Sequence, residues 1–365
     1  MSTELLVFRH PDEFPEDVER LFAQGERAGI SLGSAWFRTL IAAVIQPGDA
    51  VRFHVLRRDA RAVAALPVIA RASRIPLHRT VESLSNYYTT LYAPLLDPQV
   101  DAQGLTPLLG AIRRAESPLA TLRLQPMDPQ SRSYTVLLDA LRLAGFLPFE
   151  FYCFGNWFLS AAQDWPSFLA GRNSKMRSNI KRMEKKLAQE GGTVEIVIDG
   201  AGHERAIEAY QEVYDASWKQ AEPYPQFMPK LIAQATERGW LRLGIVWLGL
   251  KPIAAQVWIV ANGKADIYKV AYDEAFKEYS PGTVLTARLM QHVLERDGVG
   301  EVDYLVGDDP YKKNWMSDRR ERWGIVAYNP RTFGGALGAL REGMGRLVKR
   351  VWLGLKARRE KLPAP

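Results

Sequence analysis

Two strand pairs in this chain line up at a constant offset of 190 residues, and that repeat constrains the fold more than any other sequence feature. VRFHVLRR, a turn at Asp59-Ala60-Arg61 and AVAALPVIA match LRLGIVWL, a turn at Gly249-Leu250-Lys251 and PIAAQVWIV. Val51 falls on Leu241, Arg52 on Arg242, and Ala64-Ala65 on Ala254-Ala255. A helical pattern precedes each pair and similar elements follow. The expectation is a mixed α/β chain made of two copies of one unit. At 365 residues the chain suits two domains, which we place at 1–150 and 151–330, with a separate C-terminal segment at 331–365.

The second pair opens a longer stretch, Leu241 to Trp315, that reads as three strands, a loop, a helix, a strand and a polar loop. The loop Glu278-Tyr279-Ser280-Pro281-Gly282-Thr283 runs directly into the helix. Pro fixes φ, Gly admits a close ligand, and a helix start offers free N–H groups to an anion such as a phosphate. An ordinary strand-to-helix turn would read the same way. No Walker lysine and no G-x-G-x-x-G pattern follows, which argues against ATPase and dinucleotide readings. In the first copy, Asn86-Tyr87-Tyr88 belongs to a polar, aromatic segment unlike a core strand. A helix is expected over Pro107–Ala115, another over Ser133–Ala144 ended by Gly145, and an aromatic strand over Phe149–Ser160 that joins the halves.

Charge is concentrated rather than spread. Net charge is +7, yet residues 172–186 hold seven Lys/Arg and one acid, and residues 341–361 hold eight Lys/Arg and two acids. The remainder is mildly acidic, so two basic segments sit on an acidic body and point to anionic partners. In SKMRSNIKRMEKKLAQE, Met176, Ile180, Met183 and Leu187 make one apolar helix face, with Ser174 as the expected N-cap. In the tail, Leu337, Leu340, Met344, Leu347, Val348, Val351, Trp352 and Leu355 make another, flanked by Arg341, Arg346, Lys349, Arg350, Lys356, Arg358 and Arg359.

Other classes are excluded more simply. The single cysteine, Cys153, permits neither an intrachain disulfide nor a cysteine zinc cluster and reads as a small buried hydrophobe. His10, His54, His78, His203 and His292 are scattered, so no metal is expected. The residues MSTELLVFRHPDEF lack the layout of a signal peptide, and no stretch approaches the roughly 18 apolar residues of a spanning helix. A cytoplasmic protein is expected, peripheral on the inner membrane face if the tail is an interfacial anchor for anionic lipid through 337–361 rather than a helix packed on the body.

Residues 155–325 resemble a GNAT-type acyltransferase domain of the Fem-like, cellulose-biosynthesis-associated branch. The resemblance rests on the basic helix, Ala271-Tyr272-Asp273, Ser280-Pro281-Gly282-Thr283-Val284-Leu285, Asp303-Tyr304-Leu305-Val306-Gly307 and Tyr311-Lys312, in that order. The better-known Q/R-x-x-G-x-G/A loop is absent; only Gly282 remains of it. The resemblance implies two tandem GNAT-like units, each a twisted mixed sheet flanked by helices, plus the C-terminal amphipathic helix. It implies an acyl-CoA or acetyl-CoA donor, held by Tyr279, Ser280, Pro281, Gly282 and Thr283, that an amine attacks directly.

Such chemistry needs a base, oxyanion donors and an acid for the leaving thiolate. Asp273 is the expected base, unless it is a turn residue bonding local backbone. Tyr311 and Tyr272 are candidate acids, or half-buried aromatics. Lys312 is a candidate for oxyanion or phosphate stabilisation. The first unit is expected to have lost its donor site, with Asn86, Tyr87 and Tyr88 either lining the acceptor channel or packing between domains. The expected reaction is N-acylation of a membrane-associated amine, a sphingoid-type base or an envelope amino sugar. Two alternatives stand beside it: Fem-like transfer from aminoacyl-tRNA, and a non-catalytic module whose basic helix holds nucleic acid, the latter partner not being expected.

Overall fold

The computed structural model describes residues 2–71, 79–161, 164–198, 200 and 202–359. The chain runs through β1 (Thr3–Phe8), α1 (Glu16–Glu26), α2 (Ser34–Val44), β2 (Ala50–Arg58), β3 (Arg61–Ala70), β4 (Arg79–Ser83) and the short β5 (Leu95–Leu96). It continues through α3 (Ala102–Ala115), β6 (Leu119–Met127), α4 (Arg132–Leu143), β7 (Leu147–Ser160), α5 (Trp165–Ala170), α6 (Ser174–Gln189) and β8 (Gly192–Val197). Next come α7 (His203–Asp215), α8 (Phe227–Glu237), β9 (Leu241–Leu248), β10 (Lys251–Ala261), β11 (Lys264–Tyr272) and α9 (Pro281–Glu295). The last elements are β12 (Glu301–Asp303), α10 (Lys312–Trp315), β13 (Asp318–Tyr328) and α11 (Phe333–Arg359).

The chain divides into two compact units. The first takes the residues up to Glu26, Gln46–Cys153 and Arg322 onward; the second takes Arg27–Ile45 and Phe154–Glu321. The division falls inside β7 and inside β13, and α2 joins the second unit although it precedes β2.

In the first unit β1, β2, β3 and β4 pair antiparallel in sequence order, β4 runs parallel to β6, and β13 closes antiparallel on β6. In the second, β8, β9, β10 and β11 pair antiparallel, β12 runs parallel to β11, and β7 closes antiparallel on β12. The two hairpins that repeat in sequence also repeat in register. Leu56 faces Ala64 while Arg57 faces Ala62, so Val63 bulges; Val246 faces Ala254 while Trp247 faces Pro252, so Ile253 bulges. A bulge kept at matching places marks a shared backbone design rather than a coincidence of composition. Each unit nevertheless takes its closing strand from the chain that follows the other copy. β7 follows the first copy but pairs with β12, and β13 follows the second but pairs with β6.

Local chemistry sets the helix ends. Asp101 caps α3 by accepting Gly104 N–H at 2.7 Å, so the helix starts well before the expected Pro107 and carries that proline inside. Ser131 caps α4 through Tyr134 N–H, and Gly145, at φ 82°, ends it in a conformation other residues resist. The N-cap of α6 is Asn173, accepting Met176 N–H at 2.8 Å, rather than Ser174, which falls in the first turn. Ile180, Met183 and Leu187 of that helix are buried as the periodicity requires.

In the second unit α9 lies on β9 and β10. Gly244 in β9 leaves room for it: a Cβ there would stand 2.8 Å from Leu285 Cδ1 and 2.8 Å from Leu289 Cδ1. Both leucines are fully buried, so neither methyl has space to retreat. Gly244→Ala is therefore expected to cost about 1–3 kcal/mol of stability by overpacking. An unchanged denaturation midpoint would show that the contact is not tight.

Candidate active site

A cleft of about 970 Å³ opens in the second unit. One wall is the start of α6, with Lys175, Met176, Asn179 and Arg182. The opposite wall is the start of α9, with Ser280, Pro281, Gly282, Thr283 and Thr286. Val270 and Tyr272 of β11 form its floor, and Trp218, Lys219, Tyr304, Tyr311 and Trp315 close the remaining sides. The parallel pairing of β11 with β12 covers only Lys264–Asp266, so the two strands part before the cleft begins.

The α9 start is pinned from below. Gln256 of β10, fully buried, donates to Gly282 O at 3.0 Å and to Thr286 Oγ1 at 2.8 Å, and its own oxygen accepts Trp258 Nε1–H at 2.9 Å. Ser280 adopts left-handed backbone angles (φ 46°, ψ 47°) and gives no side-chain cap. Fewer N–H groups are free than the sequence led us to expect. Residues 274–279 form a 3-10 turn before the helix, Pro281 has no N–H, and Thr283 and Val284 both donate to Ser280 O. Gly282 N–H has no acceptor among the described residues and faces the cleft from a positive helix end.

Tyr304 leaves β12 through a strained turn. Leu305 sits at φ 55°, unfavourable for a branched side chain, and is held there from both sides. Its N–H donates to Asp303 Oδ1 at 2.7 Å, and its carbonyl accepts Asn156 Nδ2–H at 2.8 Å. Asp303 also accepts hydrogen bonds from Asn156 and Arg320 and pairs with Lys264 at 2.8 Å. Burial alone would raise its pKa, but the Lys264 and Arg320 cations outweigh that and hold the carboxyl well below the ordinary range.

The expected site residues separate into two groups. Tyr272, Tyr311, Ser280, Pro281, Gly282 and Thr283 line the cleft together. Tyr272 packs against Trp218 with ring centroids 4.6 Å apart, and Tyr311 meets Tyr304 edge-on at 5.8 Å. Burial, with the Asp309 carboxylate second, pushes Tyr311 up to about 12; burial raises Tyr304 further still. Both phenols are therefore hydrogen-bond donors at neutral pH.

Asp273, Tyr279 and Lys312 are not among the residues that line it. Asp273 accepts Ala275 N–H at 2.9 Å and pairs with Lys251 at 3.1 Å, so its carboxylate builds the 274–279 turn. The Tyr279 hydroxyl donates to Glu190, with Lys186 Nζ 4.3 Å above the ring. Lys312 Nζ, buried, donates to Val306 O at 2.5 Å and Gly307 O at 3.3 Å and pairs with Asp309, tying down the loop that carries Tyr311.

Asn86, Tyr87 and Tyr88 belong to the first unit. Asn86 Oδ1 accepts Tyr88 N–H at 3.0 Å, its Nδ2 is buried without a partner, Tyr88 is buried, and Tyr87 is exposed. Cys153 is only half-buried; burial raises its thiol to about 11, and it donates to Gln125 Oε1. Among the described residues no three His, Cys, Asp or Glu side chains gather as a metal ion would need.

Lys219 is the residue that sequence reasoning missed. It lines the cleft, and its ammonium makes no hydrogen bond or ion pair among the described residues. Burial, and then the neighbouring Lys269 ammonium, bring it down to about 8. No periodicity or motif marks it; a lysine following Trp218 in a loop reads as surface until the fold encloses it.

Residues 174–313 match the family model described as an acetyltransferase (GNAT) domain, and this stretch is a GNAT domain. The chain as a whole shares its fold with several solved structures. FemX superposes with a TM-score of 0.61 at 13% identity, covering 84% of this chain and 93% of that one. The C-terminal domain of a protein described as a lysylphosphatidylglycerol synthetase from Agrobacterium fabrum superposes at 0.51 and 14%, covering 89% and 94%. A tandem GNAT protein from the clavulanic acid biosynthesis pathway superposes at 0.50 and 12%, covering 89% and 98%. At these identities the likeness is one of fold. No curated protein matches the chain at the sequence level.

Replacing Asp273 separates a structural carboxylate from a catalytic one. Asp273→Ala is expected to lose about 1 kcal/mol of stability with its turn cap. Turnover should stay near wild type in a steady-state assay, and a hundredfold loss of kcat would return Asp273 to the chemistry.

Proposed function

We propose that the chain is an acyl-CoA-dependent N-acyltransferase whose donor occupies the cleft between α6 and α9. The carrying observation is the charge of the lining. Lys175, Arg182, Lys219 and Lys277 line the cleft, with no carboxylate and no histidine among the lining residues. Cationic side chains and the free Gly282 N–H suit a phosphate-bearing donor. The apolar floor of Val270, Tyr272 and Trp218 suits the chain that carries the thioester.

With no carboxylate among the lining residues, Lys219 is the base this lining offers. The neutral amine of the acceptor attacks the thioester carbonyl carbon, forming the C–N bond and an oxyanion that the Tyr304 and Tyr311 phenols stabilise. Lys219 takes the proton that the attacking nitrogen sheds. The C–S bond then breaks, and the thiolate recovers that proton. A lysine at about 8 is matched to a thiol of ordinary acidity, about 8.5, whereas a phenol at about 12 is not. Tyr311 therefore serves as a hydrogen-bond donor to developing charge rather than as the acid. Amine and thioester give amide and thiol. A proton lost when the acceptor ammonium enters goes to solvent.

The proposed acceptor is the primary amine of a membrane-associated molecule, a sphingoid-type base or an envelope amino sugar. One fold relative is described as a synthetase of an aminoacylated lipid, which supports a lipid-borne acceptor. A second reading, transfer from aminoacyl-tRNA, is favoured by the exposed Lys181 and Lys185 on α6, outside the cleft.

Thermal shift with acetyl-CoA, long-chain acyl-CoA and tRNA distinguishes the donors. Stabilisation by an acyl-CoA is expected, and stabilisation by tRNA alone would replace this reading with the second. For the base, activity requires neutral Lys219, so kcat/KM should rise with pH through about 8. Lys219→Met should lower kcat roughly a hundredfold or more. Wild-type turnover in that variant would remove Lys219 from the mechanism.

A further inference from the structure

Helix α11 is fixed to the first unit along one face only. Gly335 lies so close to the backbone that a Cβ would meet Asn329 O at 2.1 Å and Ala120 O at 2.8 Å. A Cβ on Gly338 would meet the Tyr328 ring at 2.5 Å, and Ala339 is buried. The Arg346 guanidinium donates to Glu150 O at 2.6 Å and lies 5.1 Å over the Phe149 ring. These four positions share one side of the helix at 100° per residue.

The opposite side is apolar and uncovered. Leu337, Leu340, Met344, Leu347 and Val348 are each 55–67% exposed. They form a band that starts at the docked end and runs away from it, and the Trp352 indole is exposed further along. Five large aliphatic side chains aligned in water are a surface awaiting a partner, not scattered exposure. Val351, Leu355, Lys356, Arg358 and Arg359, which continue the sequence pattern, lie outside the described side chains.

We infer that this band seats on an anionic lipid bilayer, with α11 lying in the plane of the interface. Charge selects the partner. Residues 341–361 carry eight Lys/Arg against two acids, and the exposed Arg341 and Arg350 flank the band on its two sides. A second copy of the same helix would bring like charges together. Nucleic acid would use the cations but leave the leucines in water. An anionic bilayer takes both: the aliphatic side chains enter the acyl boundary, and the Lys/Arg stems reach back to the headgroups. No helix among the described residues is long and apolar enough to cross a membrane, so the contact is lateral. Two features make the seat rigid rather than tethered: the docked glycines and the Arg346 bond set the band's direction before any lipid is met. The inference stands apart from the acyl-transfer reading and uses none of the cleft.

The test is co-sedimentation of the full chain with vesicles of equal parts phosphatidylglycerol and phosphatidylcholine, and with phosphatidylcholine alone. Binding to the anionic vesicles is expected to exceed binding to the neutral ones about tenfold or more. Leu340→Glu combined with Leu347→Glu should lower it by about tenfold or more with the thermal midpoint unchanged, because both side chains are exposed in the free protein. Arg341→Glu with Arg350→Glu should abolish the preference for anionic lipid. Absence of sedimentation with both vesicles would overturn the inference. So would equal binding by the leucine variant. A dimer in light scattering that the leucine substitutions dissociate, with no vesicle binding, would assign the band to a second copy instead.

Discussion

The Asp303 carboxylate is the charge on which the cleft is built. It is buried among Lys264, Arg320 and Asn156, and it receives the N–H of a leucine held in the left-handed region. Removing one member of such a group leaves an uncompensated buried charge, a loss of about 3–5 kcal/mol. The geometry depends on it as much as the stability does. Asp303 ends β12, so the turn it clamps decides where Tyr304 points and where the chain begins its path to Tyr311. Lys312 closes the same loop from its far end by donating to the carbonyls of Val306 and Gly307. The segment from Asp303 to Lys312 is thus one loop-building device with two tyrosines as its product.

That arrangement explains how the cleft keeps an unbalanced positive wall. The acids near it are engaged elsewhere. Asp273 is held by Lys251 and its own turn, Glu222 by Lys269, and Asp308 by Arg319 and Trp157. Each neutralises a cation outside the lining, while Lys219 makes no ion pair among the described residues and meets Glu222 and Asp309 only at longer range. Burying an ammonium without an ion-pair partner disfavours its charged form, which is what brings Lys219 down to about 8.

Much of this was legible in the sequence where it depended on local pattern. The repeated hairpins gave the tandem fold because alternation and turn chemistry are local, and even the bulges at Val63 and Ile253 fall at matching places. The Ser280–Thr283 loop was found because Pro and Gly before an apolar helix have few meanings. What remained hidden depended on contacts across the sequence. Gln256 looks like a polar interruption in a strand until Gly282 and Thr286 are placed above it. The exchange of closing strands between the units leaves no trace in periodicity, since β7 and β13 would be strands under either pairing. Asp273 and Lys312 show a related limit: a motif records that residues recur together, and the loop contacts both make appear only in the fold.

The repeat also offers a physical account of how the two copies differ at one helix end. Helices α3 and α9 occupy equivalent places, each between two strands that run parallel. At the start of α3 the Asp101 carboxylate accepts Gly104 N–H at 2.7 Å, and the Arg58 guanidinium donates to Gly104 O at 2.9 Å. An anion is thus already present at that helix end, supplied by the chain itself. At the start of α9 the equivalent position is Ser280, whose side chain caps nothing, and Gly282 N–H is left without an acceptor. A helix end stabilised by its own carboxylate gains little from an external phosphate, and one without a cap gains the full interaction. Copies of one fold can therefore diverge in function through the identity of a single capping residue, with strands, bulges and helices retained in both.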